Sequence, residues 1–67
     1  MRHWTTYWFE ITGEDSEICG EEFLTELENG SKEDHIKYAQ EVFPGEELRC
    51  LGRVSSFEAE MMGLDTY

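Results

Sequence analysis

Basic side chains are scarce in this chain: five Lys and Arg stand against 16 Asp and Glu, a formal net charge of −11 over 67 residues. A field of that sign repels a phosphate backbone, which excludes direct binding to DNA or RNA. Proline occurs once and no low-complexity tract or internal repeat is present. The 39% hydrophobic and 13% aromatic content therefore separates the chain from highly charged disordered segments and points to a folded domain. No run of about 18 apolar residues exists, so no membrane span is expected. No basic stretch leads into an apolar one, so no secretory leader is read. Catalytic signatures are missing as well: there is no glycine-rich phosphate loop, no G-x-S-x-G and no H-E-x-x-H. Carboxylate neighbours such as Glu21-Glu22 and Glu46-Glu47 are unavoidable at this composition. A thin domain also has little room for a deep pocket, and the chain is expected not to be an enzyme.

What is present organises into one domain over residues 1–67, small enough to bury only roughly 60% of its unfolded surface. In residues 3–11, His3, Thr5, Tyr7, Phe9 and Ile11 alternate with Trp4, Thr6, Trp8 and Glu10, the aromatic and β-branched signature of a strand. After a polar connection from Gly13 to Gly20, residues 21–28 predict a second strand. Phe23, Thr25 and Leu27 lie on one of its faces, and Glu22, Leu24 and Glu26 on the other. The two strands make an antiparallel hairpin with a longish loop. Asn29-Gly30 turns the chain. Ser31 with Asp34 forms a capping box for a helix over about residues 32–43, its buried stripe marked by Ile36, Ala39 and Phe43 and its end by Pro44-Gly45. Residues 47–54 predict a third strand, with Leu48, Cys50, Gly52 and Val54 on one face and Arg49, Leu51 and Arg53 on the other. Ser55 with Glu58 is a second capping box. It opens a short helix to about residue 62, with Phe57, Met61 and Leu64 lining one side.

A helix that links the second and third strands makes them parallel, and the antiparallel first strand fits between them. The expected fold is α+β: ββαβα, a three-stranded sheet in order 2-1-3 with one crossover helix and a short C-terminal helix. The first helix is expected on the face bearing Tyr7, Phe9, Phe23, Leu27, Leu48 and Val54. The opposite face, with Trp4, Trp8, Leu24 and Leu51, is left to the last helix or to a partner.

Charge is one-sided along the chain. Between His3 and Ser31 there is no Lys or Arg, while Glu10, Glu14, Asp15, Glu17, Glu21, Glu22, Glu26 and Glu28 all fall there. Such a hairpin keeps a small protein soluble. It also suits a cationic groove, because carboxylates held on a rigid sheet stand in for phosphates in charge and spacing. The candidate partner-binding residues are Glu14, Asp15, Glu17, Glu21, Glu22, Glu26 and Glu28 for charge, with Trp8 and Leu24 as apolar anchors. His3, Cys19, His35 and Cys50 match a tetrahedral zinc set in number but not in spacing. The topology sends Cys19 and Cys50 to one end of the sheet and His3 and His35 to the other, so zinc is the only cofactor candidate and a two-ligand site at either end stays open. His35 otherwise reads as a surface helix residue and Cys50 as a small buried hydrophobe. A Cys19–Cys50 disulfide is conceivable in geometry but would be kept reduced in a cytosol.

Size, acidity, the anionic hairpin from Glu10 to Glu28 and the compact strand–helix body together resemble small phage-encoded anti-CRISPR proteins, in particular those that inhibit Cas9. The resemblance implies a stoichiometric inhibitor that binds a basic nucleic-acid-handling surface of a Cas9-type nuclease in the bacterial host cytoplasm and blocks DNA loading. It carries over no catalytic residue. Two alternatives stand beside it: a zinc-stabilised interaction module, and an acidic accessory domain of a mobile element with an unrelated protein partner. An exposed Trp face keeps a homodimer open.

Overall fold

The structure is a computed structural model that describes residues 3–67. Its elements follow the expected order: β1 (Trp4–Ile11), β2 (Glu22–Glu28), α1 (Lys32–Val42), β3 (Leu48–Val54) and α2 (Ser56–Met62). β1, the strand richest in aromatic and β-branched residues, lies at the centre. It is antiparallel to both neighbours in a sheet of order β2-β1-β3. The α+β reading is therefore correct in class, order and topology.

The hairpin pairs Trp4 with Glu28 through to Glu10 with Glu22. Its loop is closed by backbone bonds, among them Gly20 N–H to the Ile11 carbonyl at 2.7 Å and Ser16 N–H to the Gly13 carbonyl at 3.0 Å. Both capping boxes form: the Ser31 hydroxyl accepts from Asp34 N–H and the Asp34 carboxylate accepts from Ser31 N–H, with the same exchange between Ser55 and Glu58. These side chains satisfy helix N–H groups that have no partner inside the helix. The hydrogen bonds from Ser31, backbone first and hydroxyl second, hold the Asp34 carboxyl below the ordinary carboxylate range.

α1 lies on one face of the sheet. Ala39 and Ile36 pack there with Phe9, Ile11, Phe23, Tyr7, Leu48 and Cys50. The core continues as a run of rings: Phe9 stacks on Phe23 at 5.5 Å, Phe23 tilts against Phe43 at 4.5 Å, and Tyr67 meets both Phe23 and Phe43 edge-on. Residues 65–67 run along the outer edge of β2. Leu24 N–H bonds to the Asp65 carbonyl, Tyr67 N–H to the Leu24 carbonyl and Glu26 N–H to the Tyr67 carbonyl, each at 2.9 Å. This short segment covers backbone groups that an edge strand would otherwise present to other chains.

β3 departs from strict alternation. Trp8 pairs with Gly52 but Phe9 pairs with Cys50, so Leu51 is the extra residue of a β-bulge. The bulge inverts the faces beyond it. Leu48 and Cys50 do share the α1 side with Phe9 and Ile11. Val54, expected with them, pairs with Thr6 on the opposite face, and Arg53, expected on the far side, pairs with Tyr7 on the α1 side. Gly52 makes this step with φ at +127°, a backbone setting that side chains disfavour.

α2 lies by the second face of the sheet, where Ser56, Ala59 and Glu60 border one depression with Thr6 and Glu26, and on that face Thr6, Leu24 and Val54 are buried. The side of the helix expected to be buried is the one left exposed. Ala59 and Met62 are the half-buried residues of the helix, whereas Phe57 and Met61 point outward at 71% and 73% exposure.

Gly52→Ala is expected to lower stability by about 1–3 kcal/mol through backbone strain. No neighbouring atom lies within 4 Å of an added Cβ, so a clash would not confound the result. Urea unfolding followed by Trp fluorescence measures this as a lower midpoint at unchanged slope.

Candidate protein-docking surface

The hairpin register sorts the acidic residues into two groups. Glu10, Glu22, Glu26 and Glu28 project from the α2 side of the sheet, interleaved with Trp4 and Trp8, because they share that alternation phase. Glu10 sits between Glu22 on one neighbouring strand and Arg49 on the other. Glu14, Asp15, Glu17 and Glu21 belong to the hairpin loop and are exposed. At that end the order β2-β1-β3 brings the start of β3 beside the end of β1. Thr12 N–H bonds to the Glu47 carbonyl at 2.9 Å, and Glu14, Asp15, Glu46 and Glu47 line one shallow concavity with Gly13, Ser16 and Gly45. Sequence reasoning set Glu46 and Glu47 aside as compositional. The strand order it derived was the signal that could have joined them to the loop.

Of the two expected apolar anchors, Leu24 is not available to a partner. Leu24 has no exposed surface, and its backbone is bonded to residues 65–67. Trp8 is half-buried and its indole N–H donates to Glu22 Oε1 at 2.8 Å, which fixes both side chains against the sheet. The carboxylates are not spread evenly. α1 carries Glu33, Asp34 and Glu41 together with Lys32 and Lys37, while the hairpin carries acids alone. Some acids have defined roles inside the fold, among them Glu22 on Trp8, and Asp34 and Glu58 in the capping boxes. The loop acids stand on elements tied down by backbone bonds, the condition for presenting charge at fixed spacing.

The four metal candidates are not brought together. Among the described residues no three His, Cys, Asp or Glu side chains form a group fit to hold a metal ion. Cys19 is exposed, Cys50 is half-buried in the core, and both thiols are free. His3 is exposed, its backbone N–H bonded to the Asn29 side chain.

His35, expected on the surface, is fully buried, and both ring nitrogens are engaged. Nδ1 lies 2.7 Å from the Thr25 hydroxyl and Nε2 2.6 Å from the Thr5 hydroxyl. The Thr5 oxygen also lies 3.0 Å from the Gly30 carbonyl and 3.3 Å from the Leu27 carbonyl, which only accept, so its single proton goes to them. Nε2 must therefore carry a proton and donate it to Thr5, and Nδ1 accepts from Thr25. A directed chain results, from Thr25 through the neutral ring to Thr5 and the backbone. Gly30 permits it, since a Cβ there would sit 2.8 Å from Leu27 Cβ and 3.2 Å from His35 Nε2. Tyr7 covers the ring at 4.5 Å. Burial pushes the imidazole below its ordinary value of 6.5, with Arg53 acting in the same direction and Asp34 against it. With both nitrogens so held, His35 is a structural clamp rather than a metal ligand.

No protein-family model, curated protein or solved structure matches this chain.

Thr25→Val keeps the side-chain shape but leaves Nδ1 without a donor, and is expected to cost about 1–3 kcal/mol in urea unfolding. Acidification acts on the same ring. The unfolded chain takes up a proton on His35 near 6.5 while the folded ring resists it, so stability is complete above that pH and is lost as pH falls below it. Urea midpoints measured from about pH 7.5 to about pH 5.5, where carboxylates remain ionised, are expected to decline.

Proposed function

We propose that this protein is a stoichiometric inhibitor that docks its anionic surface onto a basic nucleic-acid-handling surface of a Cas9-type nuclease and blocks DNA loading. The observation that carries the reading is the group formed by Glu14, Asp15, Glu46 and Glu47, two loops held side by side at one end of the sheet. A nuclease channel built for a nucleic acid duplex is positively charged and reads backbone geometry, so fixed carboxylates compete for it by charge and spacing. Long-range attraction between −11 and a cationic cleft also speeds encounter. No helix of the described residues is long and apolar enough to cross a membrane. Action in the bacterial host cytoplasm and the absence of catalysis belong to the same proposal.

Purified guide-loaded Cas9-type nucleases provide the test, with DNA cleavage followed as the protein is titrated. Inhibition is expected to saturate near one protein per nuclease and to weaken as salt rises from about 50 to about 300 mM. Reversal of Glu14, Asp15, Glu46 and Glu47 to Lys is expected to raise the inhibitory concentration by roughly tenfold or more. Cleavage unaffected by the protein across the set of nucleases, or equal inhibition by the reversed variant, would overturn the reading.

A further inference from the structure

α2 is a seven-residue helix that turns its bulky apolar side chains away from the protein. Phe57 and Met61 are four residues apart and therefore lie over one another on its outer side, at 71% and 73% exposure. Trp4, 59% exposed on the neighbouring edge of β1, shares a shallow depression with Ser55 and Ser56 at the start of this helix. Phe57 and Met61 form an exposed apolar pair of the kind that marks protein contact, Trp4 lies beside the start of the same helix, and Met adapts its shape to a partner. Glu58 and Glu60 flank the pair on α2. Glu26 reaches the same side of the sheet, where it lines a second depression with Glu60. Arg53 lines the same depression as Trp4, the one cation among its lining residues.

We infer that Phe57 and Met61, with Trp4 beside the start of their helix, are the apolar anchors of a second contact face, at the end of β1 away from the Glu14–Glu47 group, and that their occupant is a protein helix that is both basic and apolar, with Lys or Arg flanking a hydrophobic stripe. The inference rests on the inhibitor reading for its biological partner, and these anchors take the place of Leu24 as a contact residue. Charge selects the occupant. A second copy of this chain would bring an acidic rim against an acidic rim, with −11 on each side. A nucleic acid or an anionic lipid surface meets the same repulsion. A cationic protein satisfies the carboxylate rim while its apolar side chains cover the three anchors, the arrangement in which aromatic side chains become hot spots.

The probe is a synthetic amphipathic helical peptide of Lys and Leu, titrated into the labelled protein and mapped by NMR, with a Ser and Leu peptide as the uncharged control. The expected result has shifts concentrated at Trp4, Phe57 and Met61 and weaker binding by the uncharged peptide. The Phe57→Ser, Met61→Ser double variant, whose changes are both exposed, is expected to lose affinity by roughly tenfold or more while keeping the circular dichroism of the parent. Three outcomes overturn the inference: no binding of the Lys/Leu peptide, shifts confined to the Glu14–Glu47 end with the double variant unimpaired, or concentration-dependent self-association that buries Trp4. The cleavage assay separates the two claims. Nuclease inhibition retained by the double variant overturns this docking face and leaves the inhibitor reading intact. Inhibition absent in the parent, together with the expected peptide map, overturns the inhibitor reading and supports the docking face.

Discussion

The His35 ring is where the crossover helix is fastened to the sheet. Thr25 reaches it from β2, Thr5 from β1, and the two hydroxyls occupy both nitrogens in one orientation. The bond set matters because the apolar core is thin: Phe9, Ile11, Phe23, Leu24, Ala39 and Val54 are the buried hydrophobic residues among those described. A polar ring with no exposed surface is destabilising unless every polar atom has a partner. Here none among the described buried side chains lacks one. The clamp sets the angle of α1, and α1 in turn seats Ala39, Ile36 and Phe43 on the rings of β1 and β2.

This interior is neutral, and the exterior is not. Folding draws on Glu22, Asp34 and Glu58 through hydrogen bonds to Trp8, Ser31 and Ser55, while the loop acids stand outward. Concentrated like charge opposes compaction, so its retention on a small domain is an expense that a cationic partner would offset. The same division holds at α2. Ala59 and Met62 are half-buried on one side of it, and the other side carries Phe57 and Met61 exposed among acids.

Much of the fold was legible because local rules agreed with one another. Alternation in residues 4–11, two capping boxes and Pro44-Gly45 fixed the elements, and chain sense fixed the order of strands. The faces beyond Leu51 were not legible, because one inserted residue inverts a period of two and the only trace in the sequence is Gly52. The outward turn of α2 was hidden for a related reason: a seven-residue helix has too few positions for its periodicity to name a buried side. His35 lies one helical turn before Ala39, so position placed it at the edge of the buried stripe. Its polarity argued otherwise, and only the facing threonines, distant in sequence, settle the conflict. The acids of the hairpin were legible as a group, but their union with Glu46 and Glu47 depended on pairing between β1 and β3.

The loop acids Glu14, Asp15, Glu17 and Glu21 stand exposed on the fold, where their like charges repel one another. Unfolding free energy measured at pH 7.5 against sodium chloride, from about 20 to about 300 mM, tests that most directly. Screening of repulsion between outward acids predicts a protein that becomes more stable as salt is added. A protein that becomes less stable would have its acids locked in favourable internal pairs, and the claim that they are held out for a partner would be contradicted.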